Sequence, residues 1–311
     1  MKLLLIDGHY YVYRSFYAIR DLRKADGTAV NAIYGFVKTV RRMVQDLAPD
    51  LGAVVWDMGL PARRTELQPQ YKQQRAEMPD EMRPQLRFIQ QLVPHLGFAS
   101  LGLPDTEADD LMATYACVAR ARGDEVVIAT NDKDLFKLVD DRVRIYSTNK
   151  TDLADPKDAF ALLGAEAVRR KWNIEPRQIA DMLALVGDSA DNIPGVPGMG
   201  PKTSATLLAE HGSLDALLAD LGAVKNEKLR AKLDAARDQI AQNREMVRLD
   251  LDLPLPEPLD GLRVKPSYPE LIAALESCEF KGLLAEVKAE AARVAAPVNV
   301  PVPPHAQGEL F

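Results

Sequence analysis

Three short apolar runs, each stopping at an aspartate, limit what this chain can become. Residues 2–6 (Lys-Leu-Leu-Leu-Ile) end at Asp7-Gly8, residues 53–56 (Ala-Val-Val-Trp) end at Asp57, and residues 126–129 (Val-Val-Ile-Ala) run into Thr130-Asn131-Asp132-Lys133-Asp134. Runs of four or five apolar residues with no polar alternate suit strands covered on both faces. Helical stretches separate them, over 32–47, 83–96 and 108–122, and residues 142–146 read as a fourth strand. Strand and helix alternating in this way predict a mainly parallel, doubly wound α/β sheet. Such a sheet gathers the carboxyl ends of its strands on one edge, where ligands bind. Asp7, Asp57, Asp132 and Asp134 are therefore expected to meet.

Carboxylates crowded on one edge raise each other's pKa and destabilise the fold unless cations compensate. An all-carboxylate set without His or Cys suits Mg²⁺ or Mn²⁺ over Zn²⁺. Cys117 and Cys278 are far apart, and neither belongs to a Cys-x-x-Cys pair or has a nearby His, which argues against a disulfide or a zinc site. The stretch 104–110 (Pro-Asp-Thr-Glu-Ala-Asp-Asp) opens a helix; Thr106 and Asp109 fit a capping box, and acids in a first turn complement the helix dipole. That purely structural role covers two of these acids and leaves the convergence of the others unexplained. His9, His95, His211 and His305 are scattered, and ordinary structural or surface roles are expected of them.

A second chemistry begins at Gly187. Asp188 and Asp191 precede the turn Gly195-x-x-Gly198-x-Gly200, with Lys202 at its exit and an apolar helix over 203–208. Glycines let backbone N–H groups approach a phosphate, and the following helix N-terminus favours the anion. Either half alone reads better as a Gly/Pro loop with helix-capping aspartates. Side by side they point to metal-assisted chemistry on a nucleic-acid backbone.

The rest supports that junction. Residues 59–79 form a polar insert carrying Arg63, Arg64, Lys72 and Arg75, read as a solvated connector or a mobile lid; Lys72 and Arg75 share a face if it is helical. After residue 150 the pattern turns helical, over 156–163, 165–172, 176–186, 203–211 and 213–221, and 178–248 reads as a small DNA-docking layer. Residues 251–266 are a Pro-rich connector and 268–287 a final helical segment. From 289 to 307 Ala, Pro and Val dominate, the composition of a disordered tether. A net charge of -6 opposes nucleic-acid binding unless many acids sit in one metal-filled cluster. No apolar run reaches the length of a membrane span, and residues 1–7 are too short for a signal peptide, so a cytoplasmic protein is expected.

Taken in order, Asp7-Gly8, Trp56-Asp57, Tyr71-Lys72-x-x-Arg75, Glu107-Ala-Asp109-Asp110, Asn131-Asp132-Lys-Asp134 and Gly187-Asp188-Ser-Ala-Asp191-Asn-Ile-Pro-Gly195 resemble the ordered motifs of the bacterial 5′-nucleases. This is the flap-endonuclease superfamily, which includes the 5′-nuclease domain of DNA polymerase I. Cys278-Glu-Phe280-Lys-Gly-Leu-Leu is similar to that domain's last helix, so the resemblance covers about residues 2–287. Six motifs in order are specific where any one would be weak.

The resemblance implies a PIN-like α/β fold with a helix-three-turn-helix DNA-binding region and two divalent metals, Mg²⁺ or Mn²⁺, at the sheet edge. Its domains are 1–175, catalytic, with a basic arch at about 59–83; 176–288, helical; and 289–311, a tail. Asp7, Asp57, Glu107 and Asp109 surround the first metal with Asp110 close by, and Asp132, Asp134, Asp188 and Asp191 serve the second, directly or through water. Lys72 and Arg75 grip the scissile phosphate, Tyr71 stacks the terminal base, and Arg14 matches a basic position after the first strand. Gly195, Gly198, Gly200, Lys202 and Thr203 contact DNA, and a K⁺ ion can sit on the hairpin carbonyls. The implied enzyme is a monomer that cuts 5′ flaps and duplex 5′ ends by two-metal catalysis. A silent branched-DNA-binding module, a metal-dependent phosphatase and a PIN-type ribonuclease are the alternatives. The chain stops at Phe311 with no polymerase following, and its last residues, Gln307-Gly-Glu-Leu310-Phe311, resemble the peptide by which replication proteins bind the bacterial sliding clamp.

Overall fold

The computed structural model describes residues 1–147 and 161–295. Its central strand is β1 (Lys2–Asp7), in which Leu3, Leu4, Leu5 and Ile6 are fully buried. β2 (Leu51–Val55) and β4 (Glu125–Ala129) pair with it in parallel, one on each side. β3 (Ala99–Leu101) extends the sheet beyond β2, and β5 (Val143–Ser147) and β6 (Ala161–Leu163) extend it beyond β4, giving the order β3-β2-β1-β4-β5-β6 among the described residues. All pairings are parallel except the last, between β5 and β6. From β1 the chain steps outward through β2 and β3, then crosses back to place β4 and β5 on the other side. The ends of β1 and β4 therefore flank the point where the winding reverses, the crevice in which open α/β sheets bind ligands. Ile6 lies opposite Val54 on one side and Ala129 on the other, so the chain leaves all three strands at one height.

The first helices are α1 (Gly8–Ala18), α2 (Asn31–Leu47), α3 (Ala62–Leu67), α4 (Met82–Leu92) and α5 (Ala108–Arg122). Then come α6 (Ala165–Trp172), α7 (Ile179–Val186), α8 (Pro201–His211), α9 (Leu214–Ala219), α10 (Glu227–Ala235), α11 (Arg237–Met246), α12 (Tyr268–Ser277) and α13 (Lys281–Ala295). Strand alternation divides the apolar interior between the two sheet faces. Leu4, Ile6, Val54 and Val127 pack with Phe36, Val40 and Ile89 of α2 and α4, and with Leu271, Leu275 and Val287 of α12 and α13. Ile33, Phe36, Val37, Val40 and Met43 recur at helical spacing, which is why α2 turns one stripe onto the sheet. On the opposite face Leu3, Leu5, Val126 and Ile128 pack with Leu111 and Tyr115 of α5, and the same cluster runs on into Leu183, Leu208, Ile240 and Met246 of the helical region.

The fold is the expected doubly wound α/β sheet with a helical region, with four local corrections. The helix expected over 156–163 is not formed at 161–163, where β6 runs antiparallel to β5 with Leu163 buried and Leu162 exposed, the alternation of an edge strand. The tether expected from residue 289 is helical in its described part, 289–295, because Glu290-Ala-Ala-Arg-Val-Ala295 consists largely of good helix formers and completes α13. No Thr106 capping box forms; Thr106 donates to the Pro104 carbonyl, and the Ala108 amide is taken by Asp57 Oδ1 at 2.8 Å. The last two helices, grouped with the helical region, belong instead to the apolar cluster on the far side of the sheet, against residues 93–96 and α2. They reach it because Val264, Lys265 and Ser267 bond back to Asp50, Gly97 and His95.

Candidate active site

Each acid of the site is placed by where its element ends. Asp7 closes β1 and caps α1, its Oδ1 accepting from the Tyr10 amide at 3.0 Å and its Oδ2 from Thr130 Oγ1 at 3.1 Å. Asp57 follows β2, and its amide donates to His9 Nδ1 at 3.2 Å while its carboxylate holds the first amide of α5. Asp109 lies in that helix's first turn, and Asp132 follows β4 and caps the turn 133–138 through the Asp134 amide at 2.8 Å. Asp7, Asp57, Asp109 and Asp132 line one cavity of about 680 Å³ together with His9, Tyr10, Tyr13, Lys72, Arg75, Met78 and Asn131.

The electrostatics show the cost of the crowding. Burial first, then Asp57 and Asp132, pushes the Asp7 carboxyl up to about 7. Burial and Asp132 push Asp134 up to about 7. Asp109 is raised by burial and by Asp132, Asp7 and Asp57, and Asp132 is raised chiefly by burial. Burial lowers His9, in keeping with an Nδ1 that accepts the Asp57 amide as neutral imidazole. Asp134 Oδ1 is buried without a hydrogen-bond partner among the described residues.

The remaining acids are held by the protein's own cations. Glu107 is gripped by Arg64 and Lys72, with the Tyr71 hydroxyl at 3.2 Å from both its oxygens. Asp191 takes Arg75 at 2.8 Å and Lys72 at 3.6 Å, and Asp188 takes Lys133 at 2.9 Å. Among the described residues no three acid, His or Cys side chains converge closely enough to ligate an ion as they stand. Oxygen-only donors, carboxyls raised by burial and then by one another, and the orphaned Asp134 oxygen nevertheless fit a hard divalent cation.

Four expectations meet a different geometry. Asp110 is fully buried, and both its oxygens accept from Arg64, at 2.7 and 2.9 Å, so it serves the arginine and not the cavity. Tyr71 is 4% exposed with its hydroxyl on Glu107 and Asp191, so it presents no free ring face for a base. Lys72 and Arg75 do not share a helical face, since Lys72 has a φ of 56° in a run of turns, yet both reach Asp191. Arg14 is half-buried on α1, whose Tyr10 and Tyr13 line the cavity in its stead.

The hairpin between α7 and α8 is shaped by its glycines. A Cβ on Gly195 would meet the Val186 carbonyl oxygen at 2.0 Å, and Gly198 has a φ of 79°. Before Gly200 there is open space, and Pro201, Lys202 and Thr203 are exposed at the start of α8, with proline at its first position. The Pro194 and Gly195 carbonyls accept from Gln239 at 2.8 and 3.2 Å. Gln307, Leu310 and Phe311 lie outside the described residues.

Sequence reasoning missed His9, Thr130, Lys133 and Arg64. His9 and Thr130 carried a signal, standing next to or near the acids; Arg64 carried none, being one of several cations in a polar insert.

The chain as a whole is similar to known proteins. The 5′-3′ exonuclease N-terminal resolvase-like domain matches residues 2–173, and the 5′-3′ exonuclease C-terminal SAM fold matches residues 174–270. The thermostable DNA polymerase I of Thermus thermophilus is 39% identical over 285 residues, 92% of this chain and 33% of the polymerase. DNA polymerase I of Rhizobium leguminosarum is 36% identical over 294 residues, 92% of this chain and 28% of the polymerase. The chain spans about a third of the length of these relatives. Among solved structures, T5 5′-exonuclease with divalent zinc ions bound superposes with a TM-score of 0.67 at 21% identity, covering 95% of this chain and all of that one. The catalytic core of Rad2 in complex with DNA substrate superposes with a TM-score of 0.62 at 15% identity, covering 95% and 92%. At those identities the structures establish a shared fold. The two domain matches, together spanning most of the sequence, go further: the chain belongs to the 5′-3′ exonuclease family and is homologous to the exonuclease region of DNA polymerase I.

Proposed function

We propose that the chain is a divalent-metal-dependent 5′-nuclease that hydrolyses DNA phosphodiesters at 5′ flaps and duplex 5′ ends in replication and repair. One observation carries the reading: Asp7, Asp57, Asp109 and Asp132, from four separate segments, line a single cavity that Lys72 and Arg75 also line. In this reading residues 1–175 form the catalytic part, with the arch at about 59–83, and residues 176–288 the helical part, of which 178–248 docks DNA.

Asp7, Asp57, Glu107 and Asp109 are the residues to hold a first Mg²⁺ or Mn²⁺, and Asp132, Asp134, Asp188 and Asp191 a second. A bound pair of this kind supplies an activated water for in-line attack and a counter-charge for the leaving 3′ oxygen. The chain's own groups do the rest. Thr130 and His9 fix the orientation of Asp7 and the chain at Asp57. Lys72 and Arg75 exchange Glu107 and Asp191 for the scissile phosphate, where their charge favours the transition state. Gly195, Gly198, Gly200, Lys202 and Thr203 take duplex phosphates, so recognition follows shape and not sequence. Hairpin carbonyls are the place for a K⁺ ion. Products carry 5′-phosphate and 3′-hydroxyl ends.

Labelled 5′-flap DNA, duplex DNA and single-stranded RNA, each incubated with Mg²⁺ or EDTA, test the reading. Flap cleavage that EDTA abolishes supports it. Flap binding without cleavage identifies a silent docking module, and preference for RNA a ribonuclease. Gln307, Leu310 and Phe311 carry a separate proposal, a sliding-clamp contact that raises local concentration by tethering.

A further inference from the structure

Arg64 belongs to the polar insert, yet it is 3% exposed. A guanidinium has five N–H donors, and five contacts engage them. Nη1 donates to Glu107 and to Asp110 Oδ2 at 2.7 Å, and Nη2 to Asp110 Oδ1 at 2.9 Å and the Arg248 carbonyl at 2.8 Å; Nε donates to the Met246 carbonyl at 3.1 Å. The carboxylates stand at the start of α5, and the carbonyls stand where α11 ends. Arg63 and Lys137 also grip this helix end, through the Glu245, Arg248 and Val247 carbonyls. Arg64 alone among these three bonds to Glu107.

The other end of the path lies on the hairpin. Asn243 of α11 donates to the Ala184 and Pro194 carbonyls at 2.9 and 2.7 Å, and Gln239 to those of Pro194 and Gly195. A contiguous set of contacts thus runs from the phosphate-docking turn, along one helix, to Glu107, which immediately precedes Ala108 and Asp109 of the cavity lining.

We infer that Arg64 is a positioning residue that sets the register between a duplex seated on the hairpin and the acids of the cavity, and so fixes which phosphodiester is cut. The inference rests on the nuclease reading above. Lysine at position 64 keeps the charge beside Glu107 and Asp110 but loses the planar fork, so it breaks the register without stranding a buried carboxylate. Asn243→Ala cuts the same path at the hairpin end and leaves every contact of Arg64 in place.

Two measurements on the full chain decide. With Mg²⁺ and a 5′-flap substrate, the parent cuts at one predominant position, and Arg64→Lys and Asn243→Ala spread or shift the products by about one nucleotide or more, as a small displacement of the reacting groups requires. A folded variant that cuts at the parent's position, however slowly, overturns the inference, because lost stability lowers the amount of product and not its length. In EDTA, with no metal and no cleavage, flap DNA bound to the parent slows amide exchange both in the hairpin, 193–203, and in 107–112. In Arg64→Lys it slows the hairpin alone, and equal slowing of 107–112 in both proteins overturns the inference. A parent that binds flap DNA but cuts nothing with Mg²⁺ or Mn²⁺ sinks the nuclease reading, and the exchange comparison then decides the positional link by itself.

Discussion

Asp7 and Asp134 hold their protons to about 7, from 3.8 in the unfolded chain, and Asp109 is raised as well. Between those values the folded state binds more protons than the unfolded one. Stability from these groups is therefore fully present below about 3.8 and lost as pH rises through about 7. His9, lowered by burial, acts in the opposite sense, but as one group against the four raised carboxyls Asp7, Asp109, Asp132 and Asp134. Acids with lowered values, such as Asp26 at about 2, act below this window. The expected outcome is a melting temperature in EDTA that falls between about pH 5 and about pH 8, with Mn²⁺ restoring more of it at the upper end, as calorimetry would record. Lys72 makes the complementary case. Its ammonium lies between Glu107 and Asp191, where it neutralises groups assigned to cations. Lys72→Ala should lower turnover about 10²-fold or more while tightening Mn²⁺ binding to the free protein in titration calorimetry. Weaker Mn²⁺ binding would show that Lys72 organises the acids and does not compete for them.

Among elements, legibility followed length and chemistry. β1, β2 and β4 could be read from sequence because each is an apolar run stopped by an acid. β3 and β6 could not, since three residues give too short a period to detect. The start of α5 misled because its capping partner, Asp57, lies 51 positions away. The insert 59–79 misled in another way: its cations looked solvated in sequence, while in the fold Arg64 and Lys72 turn their charged ends inward onto acids that no local pattern predicts. The hairpin was readable through Gly195 and Gly198, whose backbone demands are local. Its outward-facing Lys202 contributes one positive charge at the start of α8. Lys202→Ala should weaken DNA binding uniformly across sequences and lower the salt slope by about 1, measured by anisotropy over a series of KCl concentrations. An unchanged slope would place the phosphate elsewhere.

At the scale of the molecule, the α/β class and the order of its parts followed from alternation, but the path of the C-terminal segment did not. Nothing in residues 268–287 announces that they cross to the far face, because an amphipathic helix states that it packs and not against what. The terminal peptide is testable without coordinates. Removing residues 307–311 should abolish co-elution with the sliding clamp and leave cleavage of free DNA unchanged; retained co-elution would dismiss the contact. The apolar cluster that passes from Leu3 and Ile128 into Leu208 and Ile240 has a wider meaning. A chain divides cleanly only where a cut exposes little apolar surface, and among the described residues the cluster runs unbroken across the boundary between 2–173 and 174–270. Separated at that boundary, each piece would turn its share of the cluster out to solvent.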